Sequence, residues 1–346
     1  MSPVPQSAPR RWSAGVIVLT AGLLLAACGT VTPPPFSGVV GIPSISLTVP
    51  LQVVACTTGD SCVALGASGS DFAPTSTGEV RSATSTWRSL NVPGAPSSQL
   101  TSSSCWDSGC LAGGIGPGGD LVWRYLVAPP SVTVVSAPRG GRGVESLTCY
   151  APGSCALVDT TSIVGDARLS LTSDGGVTWS PAEVLPWSAG DVISSVTCRN
   201  AQQCLVTATD ARGGAAVEST TDGGVTWRAG VVGPWSSLSS LTCQLGLCRA
   251  LATSPQGSLA VTSTNFGETW TSTVLPAHAN ALACSPLGHC VLVGQPNPQA
   301  PWIARWRGTK FVSPASKYVP SPLVGVACGD TLCAAIGAST LAVLRP

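Results

Sequence analysis

Residues 193–232 read ISSVTCRNAQQCLVTATDARGGAAVESTTDGGVTWRAGVV. An apolar stretch ends in Cys198, and the polar run RNAQQ leads to Cys204, which opens a second apolar stretch, CLVTATD. Gly213-Gly214 then precedes AAVEST, and Asp222-Gly223-Gly224 precedes TWRAGVV. Short runs rich in Val, Thr and Ala, separated by Gly- and Asp-containing turns, read as strands joined by hairpins. The 40 residues therefore make four strands, A to D, with the two cysteines across the A–B turn and the Asp-Gly-Gly turn between C and D.

The same unit recurs. Cysteines pair in sequence as Cys56/Cys62, Cys105/Cys110, Cys149/Cys155, Cys198/Cys204, Cys243/Cys248, Cys284/Cys290 and Cys328/Cys333, and successive first members are 49, 44, 49, 45, 41 and 44 residues apart. A period in this range marks a repeat architecture. Four strands per unit and seven units make a seven-bladed β-propeller of four-stranded blades, all-β, over residues 39–346. An even cysteine count at a repeated spacing in an exported chain reads as one disulfide per blade. Zinc would need denser ligands. The pairs are isolated from one another and only His278 and His289 could assist, so no metal and no cofactor is expected.

The seventh unit supplies LVGVAC, CAAIGAS and TLAVLRP and then the sequence ends, one strand short. The segment Val39–Pro50 (VVGIPSISLTVP) precedes the first unit, and it is expected to supply the outer strand of the last blade. Closing the ring removes an exposed edge. Alternating strand direction puts the A–B and C–D turns on one face and the B–C and D–A connections on the other.

Ahead of the propeller, Arg10-Arg11 precede an apolar run from Ala14 to Ala27, followed by Leu25-Ala26-Ala27-Cys28. A basic start, a short apolar stretch and small residues describe a secretory signal rather than a spanning helix. Leu-Ala-Ala-Cys resembles the bacterial lipoprotein box, which implies a signal peptide over residues 1–27 and acylation of Cys28, the odd cysteine of fifteen. Residues 28–38, rich in Pro and Thr, read as a spacer. The expected location is the outer side of the cytoplasmic membrane, or an outer membrane in a double-membrane bacterium. Charged residues make up 10% of the chain and the net charge is +1, which excludes a basic nucleic-acid footprint. A monomer is expected.

The turn at Asp222 has a near copy at Asp174 (LTSDGGVTW, 171–179) and a weaker one at Asn265 (TSTNFGETW, 262–270), with remnants around Trp87 and Trp306. These strings resemble the Asp-box, or bacterial neuraminidase repeat, found in sialidases, sortilin-like receptors and propellers related to the photosystem II stability/assembly factor. The resemblance implies structural roles for Asp174, Gly176, Thr178 and Trp179, for Asp222, Gly224, Thr226 and Trp227, and for Asn265, Gly267, Thr269 and Trp270. Asp accepts hydrogen bonds in such a turn, and Gly permits positive φ. The Trp residues are expected between adjacent sheets.

In the enzymes of this resemblance, ligands bind on the face away from the boxes. There this chain offers Arg139 and Arg142 in a Gly-rich loop, Trp187 and Trp235 each after a Pro, and His278. The arginines read as an anion site or a solvated loop. The tryptophans read as an aromatic surface for a sugar or peptide, or as blade packing. The histidine stands without a partner. Retaining sialidases use a Tyr nucleophile, and the resemblance adds an arginine triad that begins in a Phe/Tyr-Arg-Ile-Pro segment. This chain lacks that segment, its first arginine after the leader is Arg81, and its tyrosines are Tyr125, Tyr150 and Tyr318. No catalytic residue is assigned. The expectation is a non-catalytic, lipid-anchored propeller that binds a protein or glycan at the cell envelope, with a divergent sialidase-like glycoside hydrolase as the alternative.

Overall fold

The computed structural model describes residues 39–41 and 50–345, apart from 71–72, 83–85, 94–97, 162–165, 188–189, 245, 298–299, 308–309, 313–321 and 338–339. Cys28, the signal segment 1–27 and the spacer 28–38 lie outside the described residues. So do Tyr318 and most of the segment Val39–Pro50.

Seven four-stranded antiparallel sheets form the blades, and there is no helix among the described residues. The innermost strand A of the blades, in chain order, is Val53–Cys56, Gln99–Trp106, Gly143–Ala151, Val192–Cys198, Ser237–Gln244, His278–Cys284 and Leu323–Cys328. The second strand is apolar almost throughout, because sheets pack against both of its faces. In Cys333–Gly337 every residue is buried. The outermost strands shrink to two exposed residues in Glu183–Val184 and Arg228–Ala229, and so short an edge is a poor template for pairing with another chain.

Each cysteine pair stands opposite across its A–B hairpin, with Cα–Cα distances of 3.9–4.1 Å in the seven disulfides. The two members of a pair differ in surroundings. The first members, on strand A, line the central cavity. The second members, Cys62, Cys110, Cys155, Cys204, Cys248, Cys290 and Cys333, stand at the start of strand B and are at most 2% exposed. Neighbouring sheets cover both faces of that strand and seal the sulfurs inside. The one disulfide per blade expected from the sequence is present in all seven blades, and its second sulfur is sealed from solvent. Their part is structural, pinning each hairpin from within.

The core is divided in the same way. The buried apolar residues fall into seven clusters, each joining two neighbouring blades, including one that joins the last blade to the first through Ile336, Leu341 and Val343 against Val54 and Ala64.

Ring closure uses the expected strand. Val39–Gly41 pairs antiparallel with Leu341–Leu344, Val39 opposite Leu344 and Gly41 opposite Val343. A second clasp holds the same seam. The buried Asp60, in the A–B turn of blade 1, accepts the Thr331 amide at 2.9 Å, the Leu332 amide at 3.2 Å and the Thr331 hydroxyl, all in blade 7.

The Asp-Gly-Gly turns are built alike. In blade 3 Asp174 accepts the Thr178 amide at 2.9 Å and the Thr178 hydroxyl at 2.5 Å. Asp222 does the same with Thr226 at 2.9 and 2.5 Å. These bonds from Thr178 and Thr226 hold both carboxyls well below the ordinary range, down to about 2. The buried hydroxyl two residues earlier completes each turn: Thr172, Thr220 and Ser263 donate to Asp174, Asp222 and Asn265 and accept the amides of Gly176, Gly224 and Gly267.

Gly175 and Gly176 have φ of 71° and 84°, Gly223 and Gly224 79° and 101°. The second glycine lies against the preceding blade: a Cβ on Gly267 would come within 2.4 Å of Leu205. The half-buried Trp residues divide their roles. Trp179 reaches Ser136 O of the preceding blade at 2.8 Å, whereas Trp227 and Trp270 bond Gly224 O and Gly267 O of their own turns. Trp87 stands where these Trp residues stand, just before strand D. Trp306 does not: it lies in strand C opposite Cys290, the place that Thr220 takes opposite Cys204. An indole replaces the anchoring hydroxyl there.

Candidate functional site

The seven A strands surround a central cavity of about 840 Å³ that runs from the disulfide side toward the opposite face. Strands this close to the axis have no room for a ladder between blades, so their backbone groups need other partners. Serines supply them. Ser102 Oγ accepts the Leu147 amide at 2.9 Å, Ser146 Oγ the Val196 amide at 2.9 Å and Ser195 Oγ the Leu241 amide at 3.4 Å. Each is the third residue before a first cysteine, and each partner is the second residue before the next blade's first cysteine. This explains the recurring Ser-x-x-Cys of strand A in physical terms.

Six A strands shift register near their start: between Leu100 and Ser102, Val144 and Ser146, Ile193 and Ser195, Ser239 and Thr242, Ala279 and Ala281, and Leu323 and Gly325. A bulge re-aims the extra residue. Thr101, Glu145, Ser194, Ser240 and Val324 are the bulge residues that line the cavity, at the mouth away from the disulfides. Ser240 carries a φ of 53°, a conformation that a non-glycine residue adopts at some cost. The charged lining residues are Glu145 at this mouth, and Asp107 and Arg199 at the disulfide end. Those last two are engaged: Asp107 accepts the Thr58 hydroxyl, and the Arg199 guanidinium sits 4.1 Å above the Phe266 ring.

Beside Glu145 the fold assembles a group of acids that sequence reading missed. Asp159, fully buried at the end of strand B of blade 3, is gripped by Arg168 from strand C through Nε at 2.9 Å and Nη2 at 2.5 Å. Asp120, from strand C of blade 2, is wedged against the loop that joins the two blades. A Cβ on Gly141 would lie 1.8 Å from its carboxylate. Both Asp120 oxygens are buried with no hydrogen-bond partner. Burial, and then the Asp159 carboxyl, push the Asp120 carboxyl up to about 8, against the pull of Arg168 and the Gly143 amide. Burial also raises Glu145, partly offset by a 3.2 Å hydrogen bond from Thr160. The three acids lie at positions 120, 145 and 159 on three strands of two blades, and only inter-blade register brings them together.

The residues singled out from sequence are scattered round this face. Arg139 and Arg142 are exposed in the blade 2–3 loop, and it is the Arg139 carbonyl that is used, accepting Arg168 Nη1 at 3.1 Å. His278 is exposed at the start of strand A of blade 6, its Nδ1 3.0 Å from Ser258 Oγ. The structure does not bring it to the arginines. Trp187 is half-buried against the blade 3–4 cluster. Trp235 is only 7% exposed, packed in the blade 4–5 cluster, so burial removes it from the candidate surface. Tyr125 is equally unfit as a nucleophile: it is 2% exposed, and burial pushes its hydroxyl up to about 12.

No protein-family model matches the chain, and no curated protein matches its sequence. Solved structures share the fold. YCF48 bound to D1 peptide superposes with a TM-score of 0.61 at 14% identity, over 91% of this chain and 96% of that one. A catalytically inactive virginiamycin B lyase from Staphylococcus aureus with quinupristin gives 0.60 at 10% identity, over 88% and 99%. The WD40 propeller of Doa1 gives 0.60 at 11% identity, over 90% and 97%. At these identities the likeness is one of fold, and a propeller fold hosts binding proteins and enzymes alike.

Proposed function

We propose that the chain is a non-catalytic, lipid-anchored propeller outside the cytoplasmic membrane, and that it binds a segment of an envelope protein at the cavity mouth away from the disulfides. The observation that carries this reading is the mouth itself: a ring of bulge residues that presents hydroxyls and one carboxyl over a cavity of about 840 Å³. Fixed hydroxyls and backbone groups suit the amides of an extended peptide. Glycan binding would call for exposed aromatic faces, and the bulge residues at this mouth include none. YCF48, a propeller of similar fold, is bound to a peptide, which supports a peptide as the ligand class here. Seven disulfides suit an oxidising compartment, in keeping with export, and Cys28 supplies the anchor in this reading.

Site-specific photocrosslinking in cells tests the partner. A benzophenone amino acid at Ser194, on the mouth, should yield a defined protein adduct, whereas one at Val184, on an outer strand, should not. Hydrolysis of sialyl or other glycosides by purified protein would overturn the binding reading. For the anchor, Cys28→Ser should move the protein from the membrane to the soluble fraction.

A further inference from the structure

The cavity has two unlike walls. Blades 3 to 5 contribute Thr148, Ser194, Thr197, Ser239, Ser240 and Thr242, whose side-chain hydroxyls make no hydrogen bond to a described residue. Blade 7, across the axis from blade 3, contributes Val324, Gly325, Val326 and Ala327. Val324 is 52% exposed at the mouth, a large apolar side chain that the fold leaves uncovered. Glu145 stands on the hydroxyl side. One of its oxygens takes the Thr160 hydroxyl at 3.2 Å, and Glu145 is in no ion pair with a described residue. Arg168 is committed to Asp159, and Arg142 is exposed in the loop and forms no ion pair with Glu145.

We propose that this mouth is a receptor for one lysine side chain of the bound protein segment, its aliphatic stem against Val324 and its ammonium on Glu145. A lysine is apolar along its length and carries three donors at its tip. A half-buried carboxylate, with the Ser194 and Ser240 hydroxyls at the same mouth, suits those donors, and Val324 on the wall opposite takes the methylenes. Arginine fits less well, because its planar fork asks for two parallel acceptors, and one Glu145 oxygen is already occupied. An amino sugar would bring the ammonium but no long apolar stem for the Val324 wall. The inference rests on the protein-binding reading and narrows it to a chemical class.

The test uses the full chain, purified in detergent, and three capped pentapeptides that differ only at the centre: Gly-Gly-Lys-Gly-Gly, its norleucine analogue and its arginine analogue. Titration followed by NMR should show the lysine peptide shifting signals of Ser194 and Val324, with affinity at least tenfold above the norleucine peptide and above the arginine peptide. Glu145→Gln should remove that preference while leaving the melting temperature within a degree or two. Val324→Ser should weaken both the lysine and norleucine peptides. Equal binding of lysine and norleucine overturns the inference, and so does a preference for glucosamine oligomers over all three peptides. Because the comparison varies the ligand, it stands even if a variant folds poorly. If no lysine preference appears while crosslinking at Ser194 still captures a protein, this inference falls and the protein-binding reading survives. Loss of both results overturns both.

Discussion

One half of the inner ring is built by rule and the other by exception. In blades 2 to 4, one serine per blade accepts the next blade's amide, and blades 3 to 5 share one type of C–D turn. From blade 6 through blade 1 the serine position holds Ala281, Gly325 and Val53, none of which can accept a hydrogen bond from its side chain. Other groups take over. Asn280 Nδ2 donates to Leu323 O at 2.8 Å, and Gln52 Oε1 accepts the Leu100 amide at 3.0 Å. The last seam relies on the strand Val39–Gly41 and on Asp60. A repeat can be extended by one device used again, but closing a ring joins two ends that differ, and the parts at the seam are used once.

The largest effect should therefore come from the exceptional half. An internal deletion of Val39–Gly41 strips the cover from Leu341–Leu344, all of it buried. Exposing two or so such side chains costs about 3–5 kcal/mol, a fall in Tm of roughly 10 °C in a domain this size, with an open edge that invites association. Calorimetry with size-exclusion chromatography checks both. If the melting temperature does not move, the seam is held by the Asp60 clasp and the packing between blades 7 and 1 alone.

In the regular half each device is one of several, and its loss should be local. Ser195→Ala leaves the Leu241 amide buried without a partner, at a cost of about 1–3 kcal/mol. Hydrogen exchange at Leu241 should quicken while the amides of blade 7 keep their protection. Uniform loss of protection round the ring would show that the two halves unfold as one unit and that the distinction has no energetic meaning.

The turns differ within the regular half, and acid separates them. Asp174 and Asp222 have carboxyls lowered to about 2 by hydrogen bonds from Thr178 and Thr226. A depressed carboxyl adds stability that is present above its unfolded value, near 4, and is lost as pH falls through the folded value. Asn265 makes the same turn without a titrating group, accepting the Thr269 amide at 3.0 Å and donating to its hydroxyl. Asp222→Asn should thus lower stability at pH 7 by what the ionised carboxyl contributes, should leave it nearly unchanged near pH 2, and should flatten the loss of stability between pH 4 and pH 2. Urea unfolding at pH 7, 4 and 2.5 reads this directly, and an unchanged acid limb would count against it.

The fold was legible because disulfides and turns are local: Cys198 and Cys204 are six residues apart, and each reports its hairpin without reference to the rest of the chain. The closing strand was legible as a deficit, one strand missing after Leu341–Leu344. Contacts set by inter-blade register were not legible. Asp120 and Asp159 belong to different blades, and nothing in the strings GGDLVW and ALVDTT says that their carboxyls meet. Trp306 misled because Trp with a neighbouring Arg and Gly looks like a turn, while its register opposite Cys290 puts it inside a strand. Pro-Trp at 234–235 left an exposed ring and blade packing both open, and the structure chooses packing: the indole folds back over Gly233, where a Cβ would lie 2.6 Å from it.

The smallest effect lies in the third turn, where Phe266 replaces the first glycine. Its φ of 54° is costly for a side chain of this size, about 1–3 kcal/mol. In partial return, the ring packs on the blade 4–5 cluster and sits under Arg199 at 4.1 Å, a cation–π contact worth about 0.5–1 kcal/mol at an exposed site. Phe266→Gly removes the strain and the contact together, so its net effect should fall within about 1 kcal/mol of zero. With Arg199→Ala already in place the contact is gone, and the same substitution should become more favourable by about 0.5–1 kcal/mol. A double-mutant cycle by urea unfolding measures that difference. A coupling of zero would mean that Phe266 is retained for its packing against blades 4 and 5 alone.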